Sequence, residues 1–153
     1  MGKQTTAVDL RWLIRRDMPE VVEIEQCSFP EPYSEDELAA FMRQRNCNGM
    51  VAESSRFDVI HGYMIYELHK EHLEILTLAV APESRGTGIG TALIDRLKGK
   101  CSIQHRQQLR LVVSEQNLSA QLWMQRQGFM AEDYYRHKFG AHHDGILFVW
   151  RVG

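Results

Sequence analysis

The chain has 153 residues, is 44% hydrophobic and 25% charged, and carries 18 basic against 20 acidic side chains, a formal charge of −2. That length suits one soluble domain over residues 1–153, able to bury roughly two-thirds of its unfolded surface. The charge balance excludes a broad electropositive field for nucleic acid or acidic membrane, and no apolar run approaches the roughly 20 residues of a membrane span.

Leu10 to Ile14 reads as a first strand. Asp17 is placed to cap a helix with Pro19 in its first turn, and Met18, Val21, Val22 and Ile24 form its apolar stripe. Phe29-Pro30-Glu31-Pro32-Tyr33 is a stiff two-proline loop. Ser34 and Glu37 then form a capping box for a second helix, with Leu38, Phe41 and Met42 on one face. Gly49 to Glu53, Val59 to Leu68 and Leu73 to Val80 alternate as strands do. A third helix follows with Ile89, Leu93 and Leu97 inward. Leu109 to Val113 is another strand, and Leu118 to Gln127 a fourth helix ended by Gly128. Strands near Phe129 to Tyr135 and Ile146 to Val152 complete an α/β layered chain. Cys27, Cys47 and Cys101 are odd in number and lack Cys-x-x-Cys spacing, which reads as reduced thiols in the cytoplasm. The polar stretch Met1 to Asp9 has no apolar signal core.

The connection after Val80 carries the chemistry. An apolar strand breaks at Pro82, and Gly86, Gly88 and Gly90 then lead onto the first turn of an amphipathic helix. A helix start leaves N–H groups unpaired and bears the positive end of the dipole, so it suits an anion. Small residues let a large anion approach that backbone. Spacing excludes two other phosphate cradles. No lysine follows Gly88 or Gly90 before Lys98, as a P-loop requires, and Thr91 stands where a dinucleotide fingerprint needs its third glycine. What remains is Arg-x-x-Gly-x-Gly, met by Arg85, Gly88 and Gly90.

This motif resembles the acyl-coenzyme A pyrophosphate motif of the GNAT acetyltransferase superfamily. Asn117, Ala120 and Gly128-Phe129 are similar to that family's Asn-x-x-Ala-x-x-Leu-Tyr-x-x-x-Gly-Phe pattern. Ile14-Arg15-Arg16-Asp17, Ile24-Glu25 and Ser28 to Ser34 resemble the RimI type, the ribosomal-protein-alanine N-acetyltransferases, with Tyr33 where tryptophan is common. The resemblance implies a mixed, mostly antiparallel sheet of six to seven strands with about four helices on its faces. It implies acetyl-coenzyme A as acyl donor, no metal, and a protein or peptide amino terminus as acceptor, possibly that of a ribosomal protein. By the same resemblance, Leu78, Ala79 and Val80 pair with the pantetheine arm. Arg85, Gly86, Thr87, Gly88, Ile89, Gly90 and Thr91 hold the pyrophosphate, Asn117 and Met124 flank the cofactor, and Tyr33 and Tyr134 border the acceptor.

The chain also departs from its relatives. The RimI type places a glutamate base five residues before the motif asparagine and a tyrosine acid in the following helix. Val112 and Met124 occupy those positions here, and neither carries a proton. Glu74, the only charged residue of Leu73 to Val80, stands where histone-acetylating relatives place a catalytic glutamate. It is the candidate base. Two alternatives remain open at this level: a polyamine or aminoglycoside acetyltransferase, and a non-catalytic acetyl-coenzyme A binding module. His137, His142 and His143 read as solvated loop residues beside the acceptor groove, and Arg96, Lys98 and Lys100 as a solvated helix flank.

Overall fold

Alternating apolar residues build seven strands that join in one sheet, in the order β1-β2-β3-β4-β5-β7-β6. The structure, a computed structural model, describes residues 7–54, 58–139 and 143–153. Strand β1 (Asp9–Trp12) leads through a 3-10 turn (Arg15–Asp17) to α1 (Met18–Ser28) and α2 (Glu35–Arg43). Strands β2 (Cys47–Ser54), β3 (Val59–Leu68) and β4 (His72–Val80) follow. A second 3-10 turn (Pro82–Ser84) precedes α3 (Ile89–Ile103), β5 (Gln108–Ser114), α4 (Leu118–Arg126), β6 (Met130–Tyr135) and β7 (Gly145–Arg151). Every neighbouring strand pair is antiparallel except β4 with β5. The expected α/β sheet is present, and β1 ends at Trp12 rather than Ile14.

Helices cover both faces. Met64, Tyr66, Leu73 and Ile75 pack under Ile89, Leu93 and Leu97 of α3 and Met124 of α4. On the other face Tyr63, Ile65 and Ala79 pack against Val21 and Ile24 of α1 and Leu38 of α2. The Ser34–Glu37 capping box forms as expected, with both reciprocal bonds at 3.1 Å.

Strand β4 supplies both layers because it contains a bulge. Ile65 pairs with Thr77 and Tyr66 with Ile75, so Leu76 has no opposite number on β3. One extra residue turns the strand over. Leu73 and Ile75 therefore enter the α3 layer, whereas Thr77 bonds to α1 and Ala79 packs in the α1 layer. The parallel ladder to β5 runs only from His72–Gln108 to Ile75–Leu111. Beyond it β5 stays paired with β7, and among the described residues no strand lies along the β5-side edge of β4 from Leu76 to Val80. The sheet opens there into a V.

Asp17 does not cap α1 with its side chain, contrary to the sequence expectation. It accepts from the Ile14 N–H at 2.8 Å and from both Arg11 nitrogens at 2.8 and 2.9 Å, and Arg11 also donates to Glu53 at 2.7 Å. Burial pushes the Asp17 carboxyl up, but these bonds and the neighbouring charges of Arg11 and Arg16 outweigh it and hold it below its ordinary value. A carboxyl depressed on folding stabilises above its unfolded pKa, near 3.9, and loses that contribution as pH falls toward the folded value. Chemical denaturation of Asp17→Asn is therefore expected to show a deficit at neutral pH that shrinks below about pH 4. A deficit independent of pH would disprove the linkage.

Candidate active site

The cradle begins with two glycines in the left-handed region, Gly86 at φ 76° and Gly88 at φ 88°. Side chains other than glycine's rarely adopt that conformation. A Cβ added at Gly86 would meet nothing within 4 Å, so the backbone angle rather than crowding requires glycine there. Gly88 is the N-cap of α3, and the first bond of the helical ladder runs from the Ala92 N–H to its carbonyl at 3.0 Å. The N–H groups of Ile89, Gly90 and Thr91 precede that ladder and have no acceptor within the helix.

Gly90 has a different reason to be small. A Cβ there would lie 3.0 Å from Cζ2 of Trp123, so the residue lets α3 pack against α4. Ile89 is buried in the α3 layer, and only its backbone is available to a ligand. Thr91 Oγ1 accepts from Gln127 Nε2 at 3.0 Å, a second tie between the two helices.

The loop before the cradle is braced at several points. Arg85 donates from Nε to the Val80 carbonyl at 3.1 Å and from Nη2 to Ser28 Oγ at 3.2 Å. His61 Nδ1 lies 2.7 Å from Ser84 Oγ, and the Thr87 hydroxyl donates to the Ser84 carbonyl. Arg85 thus ties the end of β4 to the end of α1. His61, Ser84 and Ser28 escape a sequence reading, since their polar partners lie tens of residues away.

Below the cradle, the parting of β4 and β5 makes a cleft lined by Tyr33, Glu74, Ile75, Leu76, Val112, Lys138 and Phe139. Tyr33 and Glu74 therefore share one cleft, together with Val112, where the family's base is expected. Leu78, Ala79 and Val80, paired with β3 on one side, lie beyond the last β5 partner on the other. Asn117 caps α4, its Oδ1 accepting from the Ala120 N–H at 3.1 Å. Met124 is 1% exposed and packs in the α3 layer. Tyr134 is not among the lining residues; its hydroxyl bonds to Asp144 at 2.5 Å and Glu115 at 2.7 Å, and those carboxylates raise its pKa.

One end of the cleft is held by a buried carboxylate. Glu25, 1% exposed, accepts from Thr77 Oγ1 at 2.6 Å, from the Tyr33 N–H at 3.0 Å and from the Tyr63 hydroxyl. Burial and the charge of Glu25 push the Tyr63 hydroxyl far up. The Tyr33 hydroxyl is raised by burial, then by the charges of Glu25, Glu37, Glu67 and Glu74, so this end carries a negative field. Glu25→Ala would remove the acceptor shared by three donors; Tyr63 and Thr77, whose hydroxyls lie 3.3 Å apart, can pair with each other, so two donors are left at about 1–3 kcal/mol each. We expect a loss of about 2 kcal/mol or more, read as a melting point lower by roughly 4–8 °C or more. Glu25→Gln, which keeps an acceptor oxygen, should lose less; equal losses would refute this account of the network.

A loop contact crosses the same region, with His143 Nε2 3.8 Å from Glu31 Oε1. His143 is thus not merely solvated, and His142 lies outside the described residues. The helix flank is also less solvated than its sequence suggested. Lys98 donates to the Gln127 carbonyl and lies 5.3 Å from the Trp150 ring, and Lys100 lies 4.8 Å from the Trp12 ring.

Residues 18–129 match the Acetyltransferase (GNAT) family. An uncharacterized N-acetyltransferase of Methanocaldococcus jannaschii is 28% identical over 142 residues, covering 92% of this chain and 89% of that protein. The ribosomal-protein-S18-alanine N-acetyltransferase of Escherichia coli superposes with a TM-score of 0.84 at 19% identity, over 96% of this chain and 95% of that one. The spermidine/spermine N-acetyltransferase of Vibrio cholerae superposes at 0.74 with 23% identity, over 94% and 92%. At such identities the two structural likenesses are of fold.

Proposed function

The chain belongs to the GNAT acetyltransferase family, and on that premise we propose that it moves an acetyl group from acetyl-coenzyme A to the α-amine of a protein or peptide amino terminus. The backbone N–H groups from Arg85 to Thr91 hold the donor's diphosphate, where the α3 dipole favours negative charge. Leu78, Ala79 and Val80 pair with the pantetheine arm as an added strand. Asn117 bounds the donor at the head of α4, whereas Met124, expected beside the donor, is buried in the core under α3 and does not reach it. The amine attacks the thioester carbonyl and the C–N bond forms; the C–S bond breaks with its electron pair leaving on sulfur, as the coenzyme A thiolate, and the proton shed by nitrogen passes to Glu74.

The observation that carries this reading is the cleft itself. It sets Glu74 one residue before the last pair of the β4–β5 ladder, in a cleft shared with Val112, which cannot move a proton. An α-amine has a pKa near 8, so roughly a tenth is neutral at pH 7, whereas a lysine amine near 10.4 is almost wholly charged. A site with one proton acceptor suits the α-amine. The negative field around Tyr33 attracts its ammonium form.

Thiol release on a panel of acceptors tests the assignment. A peptide with a free terminal alanine, such as the amino terminus of a ribosomal protein, should react at least tenfold faster than the same peptide blocked at its terminus but retaining an internal lysine. Spermidine or an aminoglycoside outpacing the free terminus would overturn it. Tight donor binding without transfer to any amine would favour a regulatory module instead.

A further inference from the structure

The turn end of the β3–β4 hairpin gathers three metal-ligating side chains, two of which, Glu67 and His69, acetyl transfer leaves unexplained. Glu67 and Glu74 stand directly opposite each other on the two strands. Like charges in that position repel. His69, in the turn, places Nε2 3.2 Å from Glu67 Oε1. One ligand atom from each of Glu67, His69 and Glu74 lies within 4.8 Å of the other two. Arg110 sits beside Glu74 in the parallel register, but its Nη2 reaches the Tyr135 hydroxyl at 3.3 Å.

The turn that presents His69 is fixed. Its N–H donates to the His72 carbonyl at 2.9 Å, and its own carbonyl accepts from Arg106 Nε at 2.8 Å. The His72 ring stacks on it at 4.4 Å and 12°. The His69 side chain is 38% exposed, so an ion arriving from solvent can reach it.

We infer that Glu67, His69 and Glu74 form a binding site for a divalent transition-metal ion, with zinc the probe that fits. Two carboxylate oxygens and one imidazole nitrogen suit zinc, whereas magnesium and calcium prefer more oxygens and no nitrogen. Ligand atoms about 2.1 Å from a tetrahedral ion lie about 3.4 Å apart, so side-chain rotation closes the group by about an ångström. Three protein ligands leave one position for water. An ion bound to Glu74 also withholds its lone pair from the amine proton, so zinc slows acetyl transfer. That consequence rests on the role given to Glu74 above; the binding itself does not.

Calorimetric titration of the full chain with zinc tests the site. One ion per chain is expected, with affinity at least tenfold weaker in His69→Ala and in Glu67→Gln and unchanged in His143→Ala. Turnover, read for each protein against its own zinc-free rate, should fall with zinc and recover with chelator. His69→Ala should need at least tenfold more zinc for the same inhibition. No binding, or binding that His69→Ala and Glu67→Gln leave intact, overturns the site and leaves the proton role of Glu74 untouched. Binding that depends on both residues yet spares turnover upholds the site and removes Glu74 from proton transfer.

Discussion

Gly88→Val should raise the dissociation constant for acetyl-coenzyme A at least tenfold. Gly88 holds φ at 88° and ψ at 4° as the N-cap of α3. A residue with a Cβ pays about 1–2 kcal/mol to sit there, and a β-branched one more. The chain relieves that strain by rotating the start of the helix, which turns the N–H groups of Ile89, Gly90 and Thr91 away from their common target. A factor of ten corresponds to about 1.4 kcal/mol, so the strain alone is large enough. Gly99 supplies the control. It lies exposed within the same helix, and an added Cβ would meet nothing within 4 Å. Gly99→Ala should stabilise the protein by up to about 1 kcal/mol with no effect on donor affinity. Calorimetry showing undiminished coenzyme binding by Gly88→Val would displace the diphosphate from this turn.

Glu74→Gln should lower kcat by roughly 10²–10⁴-fold, the usual worth of a positioned proton acceptor, while leaving the donor's dissociation constant unchanged. The split between the two measurements matters. Glu74 lies in the cleft with Tyr33 and Val112, away from the α3 start to which the proposal assigns the diphosphate. The amide should fold at least as well as the acid, because it removes the repulsion from Glu67 across the hairpin. Lost activity cannot then be ascribed to unfolding, and thermal melting checks that directly. A rate within twofold of the parent protein would show that attack proceeds by positioning alone.

The glycine turn onto α3 was legible because local chemistry dictates it: glycine at 86 and 88 is what a left-handed backbone before a helix demands. The helices α2 and α3 were legible for a similar reason, since a capping box and a repeating stripe act within a few residues. Other features depend on partners remote in the chain. Asp17 carries the composition of a helix cap, yet the Ile14 N–H and Arg11, which the β1–β2 pairing also brings to Glu53, claim it instead. Ile24-Glu25 reads as an ordinary helical pair until Tyr63, Thr77 and the Tyr33 N–H converge on the carboxylate. Lys98 counts as a surface charge in sequence, but α4 ends where its ammonium can meet the Gln127 carbonyl. Gly90 shows a further limit. Its motif points to a ligand, and the structure also gives it the Trp123 ring as a neighbour.

The unopposed Leu76 makes this stretch more tolerant of an exchanged apolar side chain than of altered length. Deleting any one residue there would transpose the remainder of the strand. Thr77 would swing out of reach of Glu25, Ala79 would trade layers with Leu78, and the loop carrying Gly86 and Gly88 would set off from the opposite side of the sheet. Homologous chains that keep this architecture should therefore show no gaps across 74–80, whatever apolar residues they carry at 75, 76 and 78.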